Sequence, residues 1–353
     1  MTATPFARAR RRTSRSGGLP FRGAGRRTNL ALLVALVGSF ATGLLAFGIG
    51  TPVPAAITSV THGVLGLALV VLIPWKNVVV RRAPRKAIAS LTMLGVLVLC
   101  VIAGIVAVLG GFRTYAGLTP MQIHVGAALV AVPLIGWHVL RHHRRQGLRR
   151  TDLSRRHLLQ TAGLVAGAGA AYLAVEGTAR LTGSPAADRR ETGSHELQPA
   201  QMPVTIWLLD DVPALDPDEH EVAVAGRSYT RAELSERSAA ADFDATLDCT
   251  NGWYARASWR GVPLSDVLAP AAVSRASSIR VTSTTGYVRT FPASDVGTLW
   301  LATELGGRPL TAGHGAPVRL VAPGRRGFWW VKWVASVELS DDPWWWQFPF
   351  PTQ

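Results

Sequence analysis

Four long apolar runs occupy most of the first half of this 353-residue chain. Each has about the 20 residues that an α-helix needs to cross the hydrocarbon core of a bilayer, and a shorter run rich in Gly and Ala follows them. The five runs are Leu30–Gly50, Pro54–Pro74, Ala87–Leu109, Pro120–Leu140 and Leu158–Val175. The sequence therefore predicts an all-α membrane bundle of about five spans, with a four-helix membrane module over residues 30–140 and a fifth span or anchor over residues 158–176.

Lys and Arg are distributed unevenly among the segments that flank these runs. Residues 1–29, 75–86 and 141–157 together hold twenty of them, whereas the two other connecting segments hold only Arg113. Basic residues concentrate on the cytoplasmic side of membrane proteins, so we expect a cytoplasmic N-terminus and, after five spans, an extracytoplasmic C-terminal half. The Arg-, Ser- and Gly-rich segment 1–29 is expected to be a disordered tail.

The formal charge of +15 does not indicate a nucleic-acid-binding protein. Residues 1–157 carry a net charge of +20 and residues 158–353 a net charge of −5, so membrane topology explains the basic excess. The lipid bilayer is the expected partner, and nucleic acid is not. The two cysteines, Cys100 and Cys249, are too few for a disulfide framework.

Two histidines lie early in the second and fourth spans, where both helices enter the bilayer from the outer face. We expect His62 and His124 at similar depth, and two facing imidazoles in a helical bundle are an arrangement that ligates haem iron. His138 shares a helix face with His124, which resembles cytochromes b with two haems, but the matching position after His62 is Lys76. The pair predicts one haem b between His62 and His124; the alternative is that both histidines only pack between helices.

The segment before the fifth run reads SRRHLLQ, from Ser154 to Gln160. Two arginines ahead of a weakly apolar segment resemble the twin-arginine export motif, which would carry a domain already folded around a cofactor. The alternative is two further arginines of the basic cytoplasmic loop 141–157. The polar segment 177–203, with Pro, Gly and Ser, is expected to be a linker.

The pattern changes after residue 203 to short β-rich runs divided by turns. The expected strands are VTIWLL, HEVAVAG, SIRVTSTTGYVRTFP, APVRLVAPG and FWWVKWVASVEL, and the expected helices are Thr230–Glu236 and Ser265–Leu268. These runs predict an α+β, mostly β domain over residues 204–353. Cys249 lies in its polar, aromatic and Gly-rich part, where a thiol is a buried structural residue, a nucleophile or a metal ligand.

Four motifs follow one another in this domain. They are Cys249 followed by WRGVPLSDVL, Tyr287 in GYVRTFP, the stretch LATELGGRPLTAGHGAPVRLVAPG, and GFWWVKWV. In this order and spacing they resemble the molybdopterin-binding domain of sulfite-oxidase-type enzymes, and HEVAVAGRSYTRAEL fits the beginning of that domain. The resemblance does not cover the membrane half.

The resemblance implies that Cys249 is the thiolate ligand of molybdenum and that Tyr287 faces the metal's oxo group. It also implies that molybdopterin is held by cations near its phosphate, by glycines of the PGRRG turn and by a histidine that bonds the pterin. These residues are Arg319, Arg325, Arg326, Lys332, Gly324, Gly327 and His314.

Two departures from the sulfite-oxidising branch bear on the substrate. The cysteine is followed by TNGWY rather than by arginines, and Trp329 stands where that branch has an arginine. The reduced positive charge argues against sulfite, and the spacing looks more like that of periplasmic methionine-sulfoxide reductases. Reduction of an S-oxide or N-oxide is therefore preferred, with sulfite oxidation as the alternative.

The sequence therefore predicts a membrane-anchored molybdenum oxidoreductase that transfers an oxygen atom at an extracytoplasmic site. The expected substrate is a small molecule or an S-oxide, and a quinone or another redox carrier exchanges electrons through the membrane module. Two alternatives stay open: a non-catalytic binding module that keeps the fold, and a haem-free molybdoenzyme served by a soluble electron carrier.

Overall fold

A computed structural model describes residues 26–81, 88–141, 155–206, 210–237 and 239–347. The expected tail lies outside the described residues as far as residue 25, as does the basic loop from residue 142 to residue 154. The two arginines of the SRRHLLQ motif are the first residues of a helix, and Ser154 lies outside the described part.

Five long helices form the N-terminal half. They are α1 (Arg26–Gly48), α2 (Pro52–Arg81), α3 (Ile88–Leu109), α4 (Pro120–Arg141) and α5 (Arg155–Leu181). Within the described residues, α1 to α4 each contain a stretch long and apolar enough to cross a membrane, which confirms four of the expected apolar helices. The fifth expected helix is present as α5, but its Gly- and Ala-rich sequence does not reach the same hydropathy, so its crossing of the membrane stays a prediction.

Small residues bring the helices close together. Ala35 of α1, Ala68 of α2 and Ala168 of α5 form one buried cluster, and small side chains allow the helix backbones to approach each other in a membrane. Large apolar side chains such as Val37, Ile102 and Val130 point outward and are more than half exposed. A bundle that is apolar on its outside suits a lipid environment.

The segment expected to be a linker, 177–203, is largely ordered. Helix α5 continues to Leu181, 3-10 turns cover Pro185–Asp188 and Pro199–Gln201, and a short strand lies at His195–Glu196. The difference has a physical reason: the polar groups of this segment find partners on the bundle. The His195 ring nitrogens lie 2.8 Å from the Ala107 carbonyl of α3 and 3.2 Å from the Pro185 carbonyl.

Two sheets and three short helices form the C-terminal half. The six-stranded sheet contains β1 (His195–Glu196), β4 (Ala241–Cys249), β5 (Trp253–Pro263), β8 (Trp300–Leu305), β9 (Arg308–Pro309) and β10 (Arg319–Val321). The five-stranded sheet contains β2 (Glu221–Val224), β3 (Arg227–Thr230), β6 (Ser278–Ser283), β7 (Val288–Pro292) and β11 (Val334–Ser340). The helices are α6 (Arg231–Glu236), α7 (Leu264–Val267) and α8 (Pro270–Val273).

The sheets follow the orders β1-β5-β8-β10 and β3-β2-β11-β6-β7, with β4 on β5 and β9 on β8. Pairing is antiparallel except for β1 with β5 and β2 with β11. One apolar core receives buried side chains from both sheets, among them Trp259, Leu301, Ile279 and Phe291. The expected mostly β domain is therefore confirmed.

Local sequence explains several of these elements. Thr230 caps α6 in a reciprocal capping box with Glu233. This agrees with the helix expected over Thr230–Glu236. The expected strand VTIWLL does not form in its described part, Val204–Ile206. The Thr205 carbonyl there accepts a hydrogen bond from Lys332 Nζ at 2.7 Å. The backbone polar group is therefore paired with a side chain and not with a neighbouring strand.

The C-terminal domain rests on one end of the bundle. Trp329 Nε1 donates to the Gly48 carbonyl at the end of α1 at 3.2 Å, and Ser59 Oγ near the beginning of α2 donates to the Glu191 carbonyl at 2.8 Å. The turn at Gly252 packs on Met121 at the beginning of α4. The domain therefore sits where α1 and α3 end and where α2 and α4 begin.

Gly261 offers a test of the six-stranded sheet. A Cβ at this position would lie 2.3 Å from the Leu301 carbonyl oxygen of β8, at the irregularity between Arg260 and Gly261. We expect Gly261→Ala to lower the free energy of unfolding by about 1–3 kcal/mol, as overpacking does. The thermal midpoint of a domain this size falls by about 2–4 °C per kcal/mol. Gly297→Ala, whose Cβ meets nothing within 4 Å, is the matched control, and equal midpoints for both variants would contradict the packing described.

Candidate functional site

A cavity of about 1640 Å³ lies between the C-terminal domain and the helices and extends into the bundle. Its domain end is lined by Cys249, Tyr287, His314, Arg319 and Lys332. Its bundle end is lined by His62 and His124. We call it the interdomain cavity. It brings most of the residues singled out in the sequence into one continuous space.

Cys249 is the last residue of β4 and faces this cavity. A tight turn, in which Gly252 has φ +90°, returns the chain into β5. The thiol is 6% exposed, and its Sγ accepts from the Asn251 amide at 3.5 Å. Burial raises the pKa of the Cys249 thiol, while the amide of Asn251 and the charge of Arg326 oppose that shift. Such a thiol loses its proton readily only when a bound metal or a nearby cation stabilises the thiolate.

Two cations lie on the same side of the cavity. Arg319 of β10 donates to the His314 carbonyl at 3.1 Å, and its Nε is buried without a hydrogen-bond partner. Lys332 Nζ donates to the Thr205 and Gly313 carbonyls at 2.7 and 2.6 Å. Within the described residues neither forms an ion pair with a carboxylate, and buried charges without counter-ions are costly. The arrangement therefore suits an anionic ligand.

The pKa values of these cations reflect that cost. Burial, reinforced by the charge of Arg319, lowers the pKa of Lys332 to about 7. Burial likewise lowers the pKa of Arg319 to about 10, an effect that the Cys249 thiolate would oppose. Arg319 thus remains a cation at neutral pH, whereas Lys332 is poised to gain or lose its proton.

Gly315 holds the two cations close together. It has φ +105°, and a Cβ at this position would lie 3.2 Å from the Cβ atoms of both Arg319 and Lys332. Neighbouring His314 is fixed at both ring nitrogens, with Nδ1 2.7 Å from Thr311 Oγ1 and Nε2 3.2 Å from the Met202 carbonyl. Burial lowers the pKa of His314, and the nearby cations add to this shift.

Tyr287 and Phe328 also line the interdomain cavity. The Tyr287 hydroxyl donates to the Phe328 carbonyl, and burial raises its pKa. The Arg289 guanidinium lies 5.5 Å from the Tyr287 ring centroid and 4.9 Å from that of Phe328. Arg289 is not among the site residues expected from the four sequence motifs, although its position two residues after Tyr287, on the same face of an extended chain, is a signal for it.

A buried polar cluster supports the Cys249 backbone. Asp248 accepts from Thr192 Oγ1 at 2.8 Å and from Ser194 Oγ at 2.7 Å, and it pairs with Arg190 at 3.3 Å. Arg326 Nε lies 3.5 Å from Asp248, and Arg326 Nη2 donates to the Cys249 carbonyl at 2.9 Å. Burial lowers the pKa of Arg326, and Asp248 opposes that shift. No local pattern in the sequence indicated this cluster, because its members come from distant segments.

The PGRRG turn divides its residues between two places. Arg326 and Gly327 line the interdomain cavity, and a Cβ at Gly327 would lie 3.3 Å from the Cys249 Cα. Arg325 and Gly324 line a smaller, separate cavity. Arg325 pairs with Asp295 at 2.5 Å and lies over the Trp329 ring. The structure therefore does not bring Arg325 and Gly324 to Cys249, and their role in cofactor binding stays a prediction.

The two histidines of the bundle face each other. Their ring centroids are 5.7 Å apart and the ring planes are at 84°. His62 Nδ1 lies 2.9 Å from the Ser39 carbonyl, and His124 Nδ1 lies 2.7 Å from the Cys100 carbonyl. A carbonyl can only accept, so each Nδ1 carries a proton, and in the neutral imidazole Nε2 then has the lone pair.

Glycines surround these rings. A Cβ at Gly43 would lie 3.3 Å from the His62 ring, and one at Gly104 would lie 3.0 Å from His124 Nδ1. Positions Gly66 and Gly126 face open space, whereas Gly63 packs against Tyr172. In the part of the chain that the structure describes, no group of three or more His, Cys, Asp or Glu could hold a metal ion.

Asp248→Ala tests the buried cluster. The substitution leaves the Arg326 and Arg190 charges without their carboxylate, and breaking a buried pair costs about 3–5 kcal/mol. Asp242→Ala is the control, because Asp242 is exposed and pairs with Arg260 at only 3.7 Å, an arrangement worth about 0–1 kcal/mol. Thermal unfolding in detergent measures both variants, and a loss for Asp248→Ala as small as that of the control would refute the cluster.

Residues 209–346 match the model of a protein family described as the oxidoreductase molybdopterin binding domain. Among solved structures, the chain is similar to the sulfane dehydrogenase SoxCD from Paracoccus pantotrophus, with 23% sequence identity and a TM-score of 0.34. This similarity covers 37% of the present chain and 40% of that chain. No curated protein sequence matches.

The family match covers the two-sheet domain with Cys249, Tyr287, His314, Arg319 and Lys332, and it leaves the helical half outside. The C-terminal half of this chain therefore matches the molybdopterin-binding domain of oxidoreductases.

Proposed function

We propose that the chain is a membrane-anchored molybdenum oxidoreductase, in which the C-terminal domain transfers an oxygen atom outside the cytoplasm and the helical bundle relays electrons. One observation carries the proposal. A domain that matches the molybdopterin-binding family places a buried thiol and two cations without counter-ions around one cavity.

Cys249 is the proposed metal ligand. A soft thiolate suits a metal already bound by sulfur, and the thiol must be deprotonated to bind it. Burial raises the pKa of Cys249, so a metal rather than bulk pH would drive that proton loss. When bound, molybdopterin would supply the two-electron oxygen-atom chemistry, and the protein would supply ligation, orientation and access.

Arg319 and Lys332 are the proposed phosphate-binding residues, with His314 bonding the pterin. Arg319 presents a planar set of donors and Lys332 a compact charge that suits phosphate oxygens. Gly315 keeps both side chains on one side of the cavity. Arg326 and Gly327 are proposed to act on Cys249 itself, through the bond of Arg326 to the Cys249 carbonyl.

Tyr287 is proposed to face the substrate. The walls near Cys249 are aromatic, with Tyr287, Phe328 and the buried Trp253 lining the cavity. A neutral S-oxide or N-oxide is preferred over a dianion such as sulfite, because Cys249 is followed by TNGWY rather than by arginines and Trp329 stands where the sulfite-oxidising branch has an arginine. Arg289, beside the Tyr287 ring, would polarise the phenol hydroxyl.

The proposed topology has five spans and a cytoplasmic N-terminus. The domain contacts the ends of α1 and α3, which is the end away from the basic segments 1–29 and 141–157. Lys and Arg mark the cytoplasmic side, so the domain would lie outside. In this topology helix α5 would span the bilayer, for which its 27 residues are long enough.

His62 and His124 are proposed to ligate one haem b. The support is that each Nδ1 is fixed by a backbone carbonyl, the arrangement that orients a histidine toward a metal, and that Nε2 of each ring is left as an acceptor. Both rings line the interdomain cavity. Electrons would pass between this site and a quinone or another redox carrier.

Two single substitutions separate the proposed centres. Purified wild-type protein should contain about one molybdenum per chain and show b-type absorption on reduction. Cys249→Ser should lose oxygen-atom-transfer activity because it removes the metal's only protein thiolate, yet keep the haem spectrum. His62→Ala should lose the spectrum and keep the molybdenum. Metal analysis and an optical spectrum of the same detergent sample provide both readouts. Metal-loaded, fully active Cys249→Ser protein would refute the molybdenum assignment.

The lowered pKa of Lys332 makes the free energy of unfolding depend on pH. Its pKa in the folded protein is lowered to about 7, while the unfolded chain keeps a lysine pKa of about 10.4. Between these values the unfolded state binds more protons, so the free energy of unfolding rises with pH. We expect cofactor-free Lys332→Met to be more stable than the wild type at pH 6, with the difference shrinking toward pH 9. Unfolding midpoints across this range measure it, and a constant difference would contradict the shift.

A further inference from the structure

The last residues of α1 and the segment after them, Ala46–Gly50, contact the segment Gly324–Trp330. We call these the α1 end and the supporting segment. Phe47 and Phe328 meet with ring centroids 5.7 Å apart. A Cβ at Gly50 would lie 2.8 Å from the Gly324 carbonyl oxygen and 3.0 Å from the Arg326 amide. The two backbones therefore touch with no room for a side chain.

The supporting segment completes the α1 helix. The last carbonyls of a helix lack partners within the helix. Here the Gly48 carbonyl accepts from Trp329 Nε1 at 3.2 Å, and the Ala46 carbonyl accepts from Arg326 Nη1 at 3.4 Å. A cation at a helix C-terminus is also favourable for the helix dipole. The polar groups at the α1 end thus depend on the C-terminal domain.

The same segment holds Cys249 from the other side. Arg326 binds the Cys249 carbonyl and pairs with Asp248, and Gly327 packs on the Cys249 Cα. Residues Asp248 and Arg326 also form an isolated parallel β-bridge. Arg326 therefore bonds to the α1 end and to the cysteine with one guanidinium, so a shift of one is passed to the other.

We propose that the α1 end is a positioning element of the Cys249 site. In this arrangement the helical bundle completes the site and keeps the Cys249 thiol inaccessible to solvent, which we call closure. Phe47 and Gly50 are the positioning residues. The importance of this closure for catalysis rests on the proposed function, whereas the closure itself concerns only the protein chain. Because Gly43 on the same helix contacts the His62 ring, α1 also connects the two proposed cofactor sites mechanically.

Thiol labelling of full-length, cofactor-free protein in detergent tests the proposal. A water-soluble maleimide is added, and mass spectrometry of the peptides follows Cys249 separately from Cys100. Gly50→Val places a side chain against the Gly324 and Arg326 backbone, and Phe47→Ala removes the aromatic contact. The overpacking in Gly50→Val and the cavity left in Phe47→Ala should each increase the open population, and with it the Cys249 labelling rate, by about tenfold.

The matched controls lie in the same half of the protein. Gly177→Val is made where a Cβ meets nothing within 4 Å, and Phe40→Ala removes a phenyl group two helical turns deeper on α1. Both should label at the wild-type rate, and Phe47→Leu should restore most of the closure lost in Phe47→Ala. Cys100 lies on α3 of the bundle, so a Cys100 labelling rate equal to that of the wild type shows that Phe47→Ala has not unfolded the bundle.

The outcomes are distinct. Faster labelling of Cys249 in Phe47→Ala and Gly50→Val but not in the controls supports the positioning role. Equal rates in Phe47→Ala and the wild type overturn it, whatever Gly50→Val does. Molybdenum content of the same variants, grown with molybdate, is the second readout. Wild-type protein without molybdenum would refute the proposed function and leave the labelling result standing.

Discussion

The buried guanidinium of Arg326 is the interaction on which the rest of this arrangement depends. A charge removed from water must find a counter-ion and hydrogen-bond acceptors close by. Arg326 finds them in Asp248, in the Cys249 and Thr192 carbonyls and in the Ala46 carbonyl of α1. These partners belong to β4, to segment 177–203 and to α1. Satisfying one cation thus fixes segment 177–203 and α1 relative to β4, which ends in the proposed metal ligand.

Much of this molecule could be predicted from its sequence, since the strongest signals are local. The apolar runs predicted α1 to α4, and the family resemblance assigned Cys249, His314, Arg319 and Lys332 to one cofactor site, which the structure arranges around one cavity. Arg325 and Arg326 mark the limit. They are adjacent in the sequence and chemically identical, yet Arg326 points to Asp248 and Arg325 to Asp295. The choice between them depends on long-range partners that no local pattern contains.

Segment 177–203 shows that composition alone also fails to predict which segments are ordered. Its Pro, Gly and Ser content is typical of a flexible linker, but Ser194 and His195 are buried. Ser194 is held by Asp248 and His195 by the Ala107 carbonyl. A polar segment becomes ordered when neighbouring surfaces offer unsatisfied groups, and here the end of the bundle and the end of β4 both offer them. Only the position of the domain on the bundle determines this order.

The domain end of the cavity buries ionisable side chains without partners, which costs free energy in the absence of a ligand. The groups that bear this cost indicate which kind of ligand would relieve it. The same burial that raises the pKa of Cys249 lowers that of Lys332, so both side chains are pushed toward their neutral forms. A ligand with a sulfur-bound metal at one end and an anionic phosphate at the other would reverse both shifts, since each charged form would gain its partner. A ligand that binds only the folded state stabilises it. The site is therefore unfavourable for the bare protein at Cys249 and at Lys332, the two places where molybdopterin would stabilise it.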